Sequence, residues 1–125
     1  RLGTAEIETA ATLDHSIIET AVVGFPHAIK GEGIMIFAIP ASHAAQSHDE
    51  LKEIIKQTIR AQIGPIASPD AIHIVKGLPK TRSGKIMRRI LRCIARSEFE
   101  KIGDVSTLAD PDIVDHIIGV FSAKT

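Results

Sequence analysis

The chemistry in this sequence gathers in Leu78-Pro79-Lys80-Thr81-Arg82-Ser83-Gly84-Lys85-Ile86-Met87-Arg88-Arg89. Between Lys80 and Arg96 stand seven cations (Lys80, Arg82, Lys85, Arg88, Arg89, Arg92 and Arg96) and no acid. Pro79 and Gly84 are turn formers. A lysine follows the glycine directly, and a helical pattern starts beside it. A cation-tipped loop opening onto a basic helix suits a phosphate or a carboxylate. A basic run alone is ordinarily a solvated helix face; the loop distinguishes this one. Gly84 reaches backbone angles other residues resist and lets a neighbour come close. The apolar spacing predicts a helix from about Ile86 to Glu98, which sets Lys85 at a helix start. The helix dipole disfavours a cation there, so an anionic partner is expected.

Two common alternatives fail on the residues. A phosphate-cradling P-loop needs Gly-Lys followed by Ser or Thr, five positions after a first glycine. Here six residues separate Gly77 from Gly84, and Ile86 follows the lysine, so no hydroxyl reaches a metal ion. A surface for single-stranded nucleic acid sets stacking aromatics among its cations, and this run has none. The whole chain balances 15 Lys and Arg against 15 Asp and Glu, unlike the basic surplus of nucleic-acid domains. No apolar run approaches the roughly 20 residues that cross a bilayer, and no secretory signal opens the sequence. Neither nucleic acid nor membrane is therefore an expected partner. Cys93 is the only cysteine, which excludes a disulfide framework and fits a reducing, cytoplasmic compartment; on the basic helix it reads as a packing residue. The six histidines are scattered; His43 and His48 sit in a polar linker without a third ligand and read as surface residues.

The elements that position the loop follow from periodicity. With 125 residues the chain is one domain, residues 1–125, large enough for a core. A helix is predicted from about Thr4 to Leu13, with Thr4 as N-cap and Glu6 and Glu8 in its first turn. Ile18 to Phe25 reads as a strand. The apolar run Ile34 to Ile39 suits a second strand covered on both faces. The short loop between them implies an antiparallel pair. Ser47-His48-Asp49-Glu50 has the form of a capping box. Leu51, Ile54, Ile55, Thr58, Ile59 and Ile63 form the stripe of the helix that follows, which Gly64-Pro65 ends. Ala71 to Lys76 is a third strand. Asp110-Pro111 opens a last helix, with Asp110 as N-cap. The expected fold is α+β: a small mixed sheet, an antiparallel pair plus a third strand, covered by helices.

Pro79-Lys80-Thr81-Arg82-Ser83-Gly84-Lys85-Ile86-Met87-Arg88-Arg89 resembles the lysine-bearing C-terminal motif of the adenylate-forming acyl-CoA synthetases. Arg1-Leu2-Gly3-Thr4-Ala5-Glu6-Ile7-Glu8, Ala21-Val22-Val23-Gly24-Phe25-Pro26-His27 and Ser106-Thr107-Leu108-Ala109-Asp110-Pro111 agree with it. The last stretch resembles the acetate-activating members. The resemblance implies the mobile C-terminal lid of a ligase that joins acetate to coenzyme A through an acyl-adenylate, using ATP and Mg2+ and releasing AMP and pyrophosphate. It implies that Lys85 is catalytic for adenylation and open to acetylation by a lysine acetyltransferase, with a deacetylase reversing it. It places Arg1 on the ATP or AMP phosphate, Arg60 on coenzyme A, and Thr12, Asp14 and Ile17 at a magnesium ion, although only Asp14 among these offers a carboxylate. By itself Arg60 reads as a solvated helix arginine and Arg1 as a chain end. The large N-terminal domain, the hinge and the acid pocket would lie upstream of Arg1, so the chain alone is expected to be inactive. A lid for propionate or another short acid, and a non-catalytic phosphate- or partner-binding module, are the alternatives.

Overall fold

The computed structural model describes residues 3–123. Its elements run α1 (Thr4–Ala11), β1 (Ile17–His27), β2 (Gly31–Pro40), α2 (His48–Gln62), a 3-10 turn at Pro65–Ala67, β3 (Ala71–Ile74), α3 (Arg88–Ala95), a 3-10 turn at Phe99–Lys101 and α4 (Asp112–Ser122). The strands form one sheet in the order β1-β2-β3. β1 and β2 pair antiparallel from Ile17↔Pro40 to His27↔Gly31, and β3 joins β2 in parallel from Met35↔Ala71 to Ala38↔Ile74. The mixed α+β sheet expected from the sequence is present. The hairpin is tighter than the sequence implied, because the strands run on to His27 and from Gly31.

Alternation along the strands divides the interior. Ala21, Val23, Met35 and Phe37 face α3 and α4 and pack with Leu91, Ile94, Val114 and Ile117. Val22, Ile36, Ala38, Ile72 and Ile74 face α1 and α2 and pack with Ile7, Leu51, Ile55 and Ile59. Successive side chains of a strand point to opposite faces, so a single strand serves both cores. The Met35–Ala38 run is buried throughout, as a strand covered on both faces requires.

Several boundaries differ from the periodic reading. α1 starts from Gly3, whose N–H donates to the Glu6 carboxylate at 3.0 Å; Thr4 is its first residue, not its cap. α2 carries the capping box as read: the Glu50 N–H donates to Ser47 Oγ at 3.1 Å, and the Ser47 N–H to the Glu50 carboxylate at 2.8 Å. α4 begins one residue later than expected, with Pro111 at the N-cap. β3 ends at Ile74. The largest difference is at α3, which starts at Arg88 and ends at Ala95.

One side chain clasps both layers. Glu8 of α1 reaches the outer edge of β1 and accepts the Val22 N–H at 2.9 Å. Arg88 of α3 comes from the opposite layer, and its Nε donates to Glu8 Oε2 at 2.9 Å while the guanidinium also meets Oε1. The hydrogen bond to Glu8, which outweighs the cost of burial, raises the Arg88 pKa above its ordinary value. An otherwise open sheet edge is thereby covered.

Candidate functional site

The 78–87 segment is a hairpin rather than a helix lead-in. Lys80 and Ile86 pair as an antiparallel bridge. The Met87 N–H donates to the Pro79 carbonyl at 2.7 Å, and the Thr81 N–H to the Lys85 carbonyl at 2.9 Å. The turn closes where the Gly84 N–H donates to the Thr81 carbonyl at 2.9 Å, with Gly84 at φ +95°. Nothing lies within 4 Å of where a Cβ would stand on Gly84, so the glycine is required by conformation, not by space. A side-chain bond stiffens the turn: the Lys85 N–H donates to Thr81 Oγ1 at 3.1 Å, and that hydroxyl shares a hydrogen bond with Ser83 Oγ at 2.9 Å. Lys85 therefore stands three residues ahead of α3, too early for the helix dipole to bear on its charge. Ile86 and Met87 mimic a helical stripe in the sequence; in the fold they are the return strand.

A third stretch backs the hairpin. Thr81 bridges Leu108, and the Ala109 N–H donates to the Lys80 carbonyl at 2.9 Å. Leu108 is buried in the α3–α4 core. The Asp104 carboxylate accepts the Ser106 N–H at 2.9 Å and shapes the turn leading into this strap.

The seven cations do not act alike. Lys80 Nζ pairs with Glu19 of β1 at 2.8 Å. Arg88 is held by Glu8. Arg89 donates to the carbonyls of Lys101 and Ile102 at 3.1 and 2.8 Å. These three are structural. Lys85 and Arg82, by contrast, are exposed at the tip, and among the described residues their side chains make no hydrogen bond or ion pair. The site presents an ammonium on a stiff, turned backbone, free to meet an anion.

The remaining positions fall elsewhere. Arg60 is exposed in the last turn of α2, on the layer opposite α3. A cation there suits the carboxyl end of the helix dipole. Gly64 at φ +119° and the Pro65–Ala67 turn follow it and leave Ile66 85% exposed. Thr12, Asp14 and Ile17 share the turn between α1 and β1. Asp14 Oδ1 accepts from Ser16 Oγ at 2.6 Å and from the Ser16 N–H at 2.9 Å. These two bonds, the hydroxyl first, hold its carboxyl below the usual value. The Thr12 hydroxyl is committed to the Glu8 carbonyl at 2.6 Å. The turn can offer the second Asp14 oxygen and main-chain carbonyls, the hard donors that magnesium accepts. Among the described residues no group of three His, Cys, Asp or Glu side chains is placed to hold a metal. Arg1 lies outside the described residues. The structure thus groups Thr12, Asp14 and Ile17 but keeps Arg60 and Lys85 on opposite layers. His43 and His48 are exposed and Cys93 is buried, as read from the sequence. No helix among the described residues is long and apolar enough to cross a membrane.

A lysine-tipped hairpin on a small mixed sheet defines a class. Residues 6–85 match the AMP-binding enzyme C-terminal domain, and the chain belongs to that family. Acetyl-coenzyme A synthetase from Brucella canis is 59% identical over 119 residues, which cover 94% of this chain and 18% of that protein. The corresponding enzyme of Brucella anthropi is 57% identical over the same length. Among solved structures, an acyl-CoA synthetase from Brucella canis superposes with a TM-score of 0.70 at 36% identity, over 81% of this chain and 18% of that one. Acetoacetyl-CoA synthetase from Streptomyces lividans superposes over 100% of this chain and 19% of its own, with a TM-score of 0.76 at 25% identity. The fold is that of the C-terminal domain of adenylate-forming acyl-CoA synthetases. The chain spans about a fifth of the length of the curated relatives it matches.

Proposed function

We propose that this chain is the C-terminal lid of an AMP-forming acetyl-CoA synthetase, acting with a large N-terminal domain of the same enzyme. The observation that carries the reading is Lys85: an exposed ammonium, unpaired among the described residues, on a hairpin whose backbone is bonded on both sides. In the first half-reaction acetate attacks the α-phosphate of ATP, giving acetyl-adenylate and pyrophosphate. Negative charge from the carboxylate and the phosphate converges as the bond forms. A compact ammonium placed between two oxyanions stabilises that charge without the fixed fork of a guanidinium. In the second half-reaction the thiol of coenzyme A attacks the acyl carbon and AMP leaves. Arg60, exposed on the other layer, would meet a phosphate or the adenine plane of coenzyme A. Placement on opposite layers supports a lid that turns to present one face per half-reaction.

Arg1 would reach the adenylate phosphate in the closed enzyme. Asp14, with main-chain oxygens of Thr12 and Ile17, would hold a magnesium ion, which neutralises nearby anionic charge. Acetylation of Lys85 by a lysine acetyltransferase would remove the ammonium and silence adenylation until a deacetylase restored it. A cytoplasmic setting suits the lone reduced cysteine. The acid is selected in the large domain, and this chain by itself is expected to make no thioester.

The test is Lys85→Ala in the complete enzyme. Acetate-dependent ATP–pyrophosphate exchange should fall by about a hundred- to a thousand-fold, the range for a single electrostatic donor, while thioester formation from supplied acetyl-adenylate survives. Exchange at the wild-type rate would make the hairpin a structural or binding element instead.

A further inference from the structure

We infer that Thr81 is the positioning residue for Lys85 and that the strap at residues 105–109 braces the two together; the inference rests on the adenylation role proposed for Lys85. Among the described residues the Lys85 side chain makes no hydrogen bond or ion pair, so what the fold fixes is the base from which the ammonium reaches out. Both main-chain polar groups of Lys85 are held by one residue. Its N–H donates to Thr81 Oγ1 at 3.1 Å, and its carbonyl accepts the Thr81 N–H at 2.9 Å. The Ser83 hydroxyl, 2.9 Å from Thr81 Oγ1, adds a second hydrogen bond to the same oxygen.

Thr81 is itself held from behind. It bridges Leu108, and the neighbouring Ala109 N–H donates to the Lys80 carbonyl at 2.9 Å. Leu108 is 5% exposed and packs in the α3–α4 core. A chain of support therefore runs from the core through Leu108 and Thr81 to the base of Lys85. The Ser106–Pro111 stretch thereby acquires a physical role as backing for the lysine hairpin, through the Leu108 bridge and the Ala109 N–H.

A long, flexible side chain delivers its charge accurately only from a fixed base. A misplacement of about 1 Å in a reacting group can cost on the order of a hundred-fold in rate. Valine at 81 keeps the branched shape and the backbone bonds but removes the acceptor. The freed Lys85 N–H, on an exposed residue, turns to water, so stability is little changed. Serine restores the acceptor.

The experiment uses the complete enzyme with Thr81→Val, Thr81→Ser and Lys85→Ala side by side. Thr81→Val should lower kcat for acetate-dependent ATP–pyrophosphate exchange by about 10- to 100-fold, with KM for ATP and acetate changed by less than about twofold. Thioester formation from supplied acetyl-adenylate and the unfolding temperature should match wild type. Thr81→Ser should recover exchange to within about threefold of wild type. Wild-type exchange in Thr81→Val alongside a crippled Lys85→Ala overturns the positioning role and leaves the role of Lys85 standing. Wild-type exchange in Lys85→Ala removes the adenylation reading and this inference with it. Equal losses in both half-reactions, or no recovery with serine, make Thr81 merely structural and overturn the inference.

Discussion

At the scale of single residues, Glu8 joins elements that sequence distance hides. The sequence places it among the acids that suit a helix start, and its partners Val22 and Arg88 lie 14 and 80 residues away. No local window connects them. Glu8→Ala should cost about 2–3 kcal/mol, because it leaves the buried Val22 N–H unpaired as well as removing a charged hydrogen bond. Arg88→Ala should cost less, about 1 kcal/mol, since its side chain is 39% exposed and solvent already screens the pair. Urea unfolding of both variants tests the order; an equal or larger loss for Arg88→Ala would show that Glu8 is not capping the sheet edge. Titration offers a second check. Burial, and then the charge of Lys76, hold His116 below its ordinary value of 6.5, while its Nε2 accepts the Lys76 N–H at 3.0 Å. The unfolded chain then binds this proton more readily than the folded one. The contribution is whole above pH 6.5 and is lost as pH falls through the lower folded value. His116→Gln keeps an acceptor and should flatten that part of the stability curve. Identical curves for the two proteins between neutral pH and pH 5 would remove His116 as a cause. Asp70 acts further down. Burial opposes its charge, but bonds from Lys30 and the Ile34 N–H outweigh burial and lower its pKa, so its stabilisation fails only as pH falls below about 4.

Elements divide into those written locally and those that are not. The capping box of α2 was legible because all its atoms lie within Ser47–Glu50, and both of its bonds are present. β2 was legible because an unbroken apolar run has few other uses in a small domain. The lysine hairpin was not, since its return strand, Ile86 and Met87, continues the apolar spacing of α3, and its backing comes from Leu108. Periodicity cannot tell an apolar residue facing the core from a strand from one facing it from a helix. The loop's own residues marked Lys85 as a cation in want of an anion, the family likeness supplied its catalytic role, and the fold then supplied its support. Two substitutions of similar thermodynamic cost separate the elements by function. Ser47→Ala loses a cap, and Gly84→Ala forces a side chain to φ +95° in open space. Each should cost about 1 kcal/mol. In the complete enzyme only Gly84→Ala should also slow ATP–pyrophosphate exchange, because only that turn carries Lys85. Matching exchange rates for the two variants would mean that the shape of the hairpin is irrelevant to catalysis.

At the scale of the molecule, the central strand decides whether the two layers behave as one body. Phe37 and Ile36 are adjacent in β2 and fully buried, yet Phe37 belongs to the α3–α4 core and Ile36 to the α1–α2 core. The Glu8–Arg88 clasp ties the layers again at the β1 edge. If the proposed lid presents Lys85 from one layer and Arg60 from the other, it must transmit rotation through this sheet. A soft sheet would blur both positions. Phe37→Ala should cost about 3–5 kcal/mol and Ile36→Ala about 2–5 kcal/mol by cavity formation, out of the roughly 5–15 kcal/mol that holds a domain together. If the layers are one cooperative unit, each variant lowers the protection of the slowest amides in α2 and α3 by the same amount, whichever face was cut. Hydrogen exchange read residue by residue distinguishes this from independent layers. In that second case Phe37→Ala would loosen α3 and α4 and spare α2, and the two faces would have to reach the large domain separately. Cooperative loss is expected, because along Met35–Ala38 each residue that supports one layer is joined through its own peptide groups to residues that support the other.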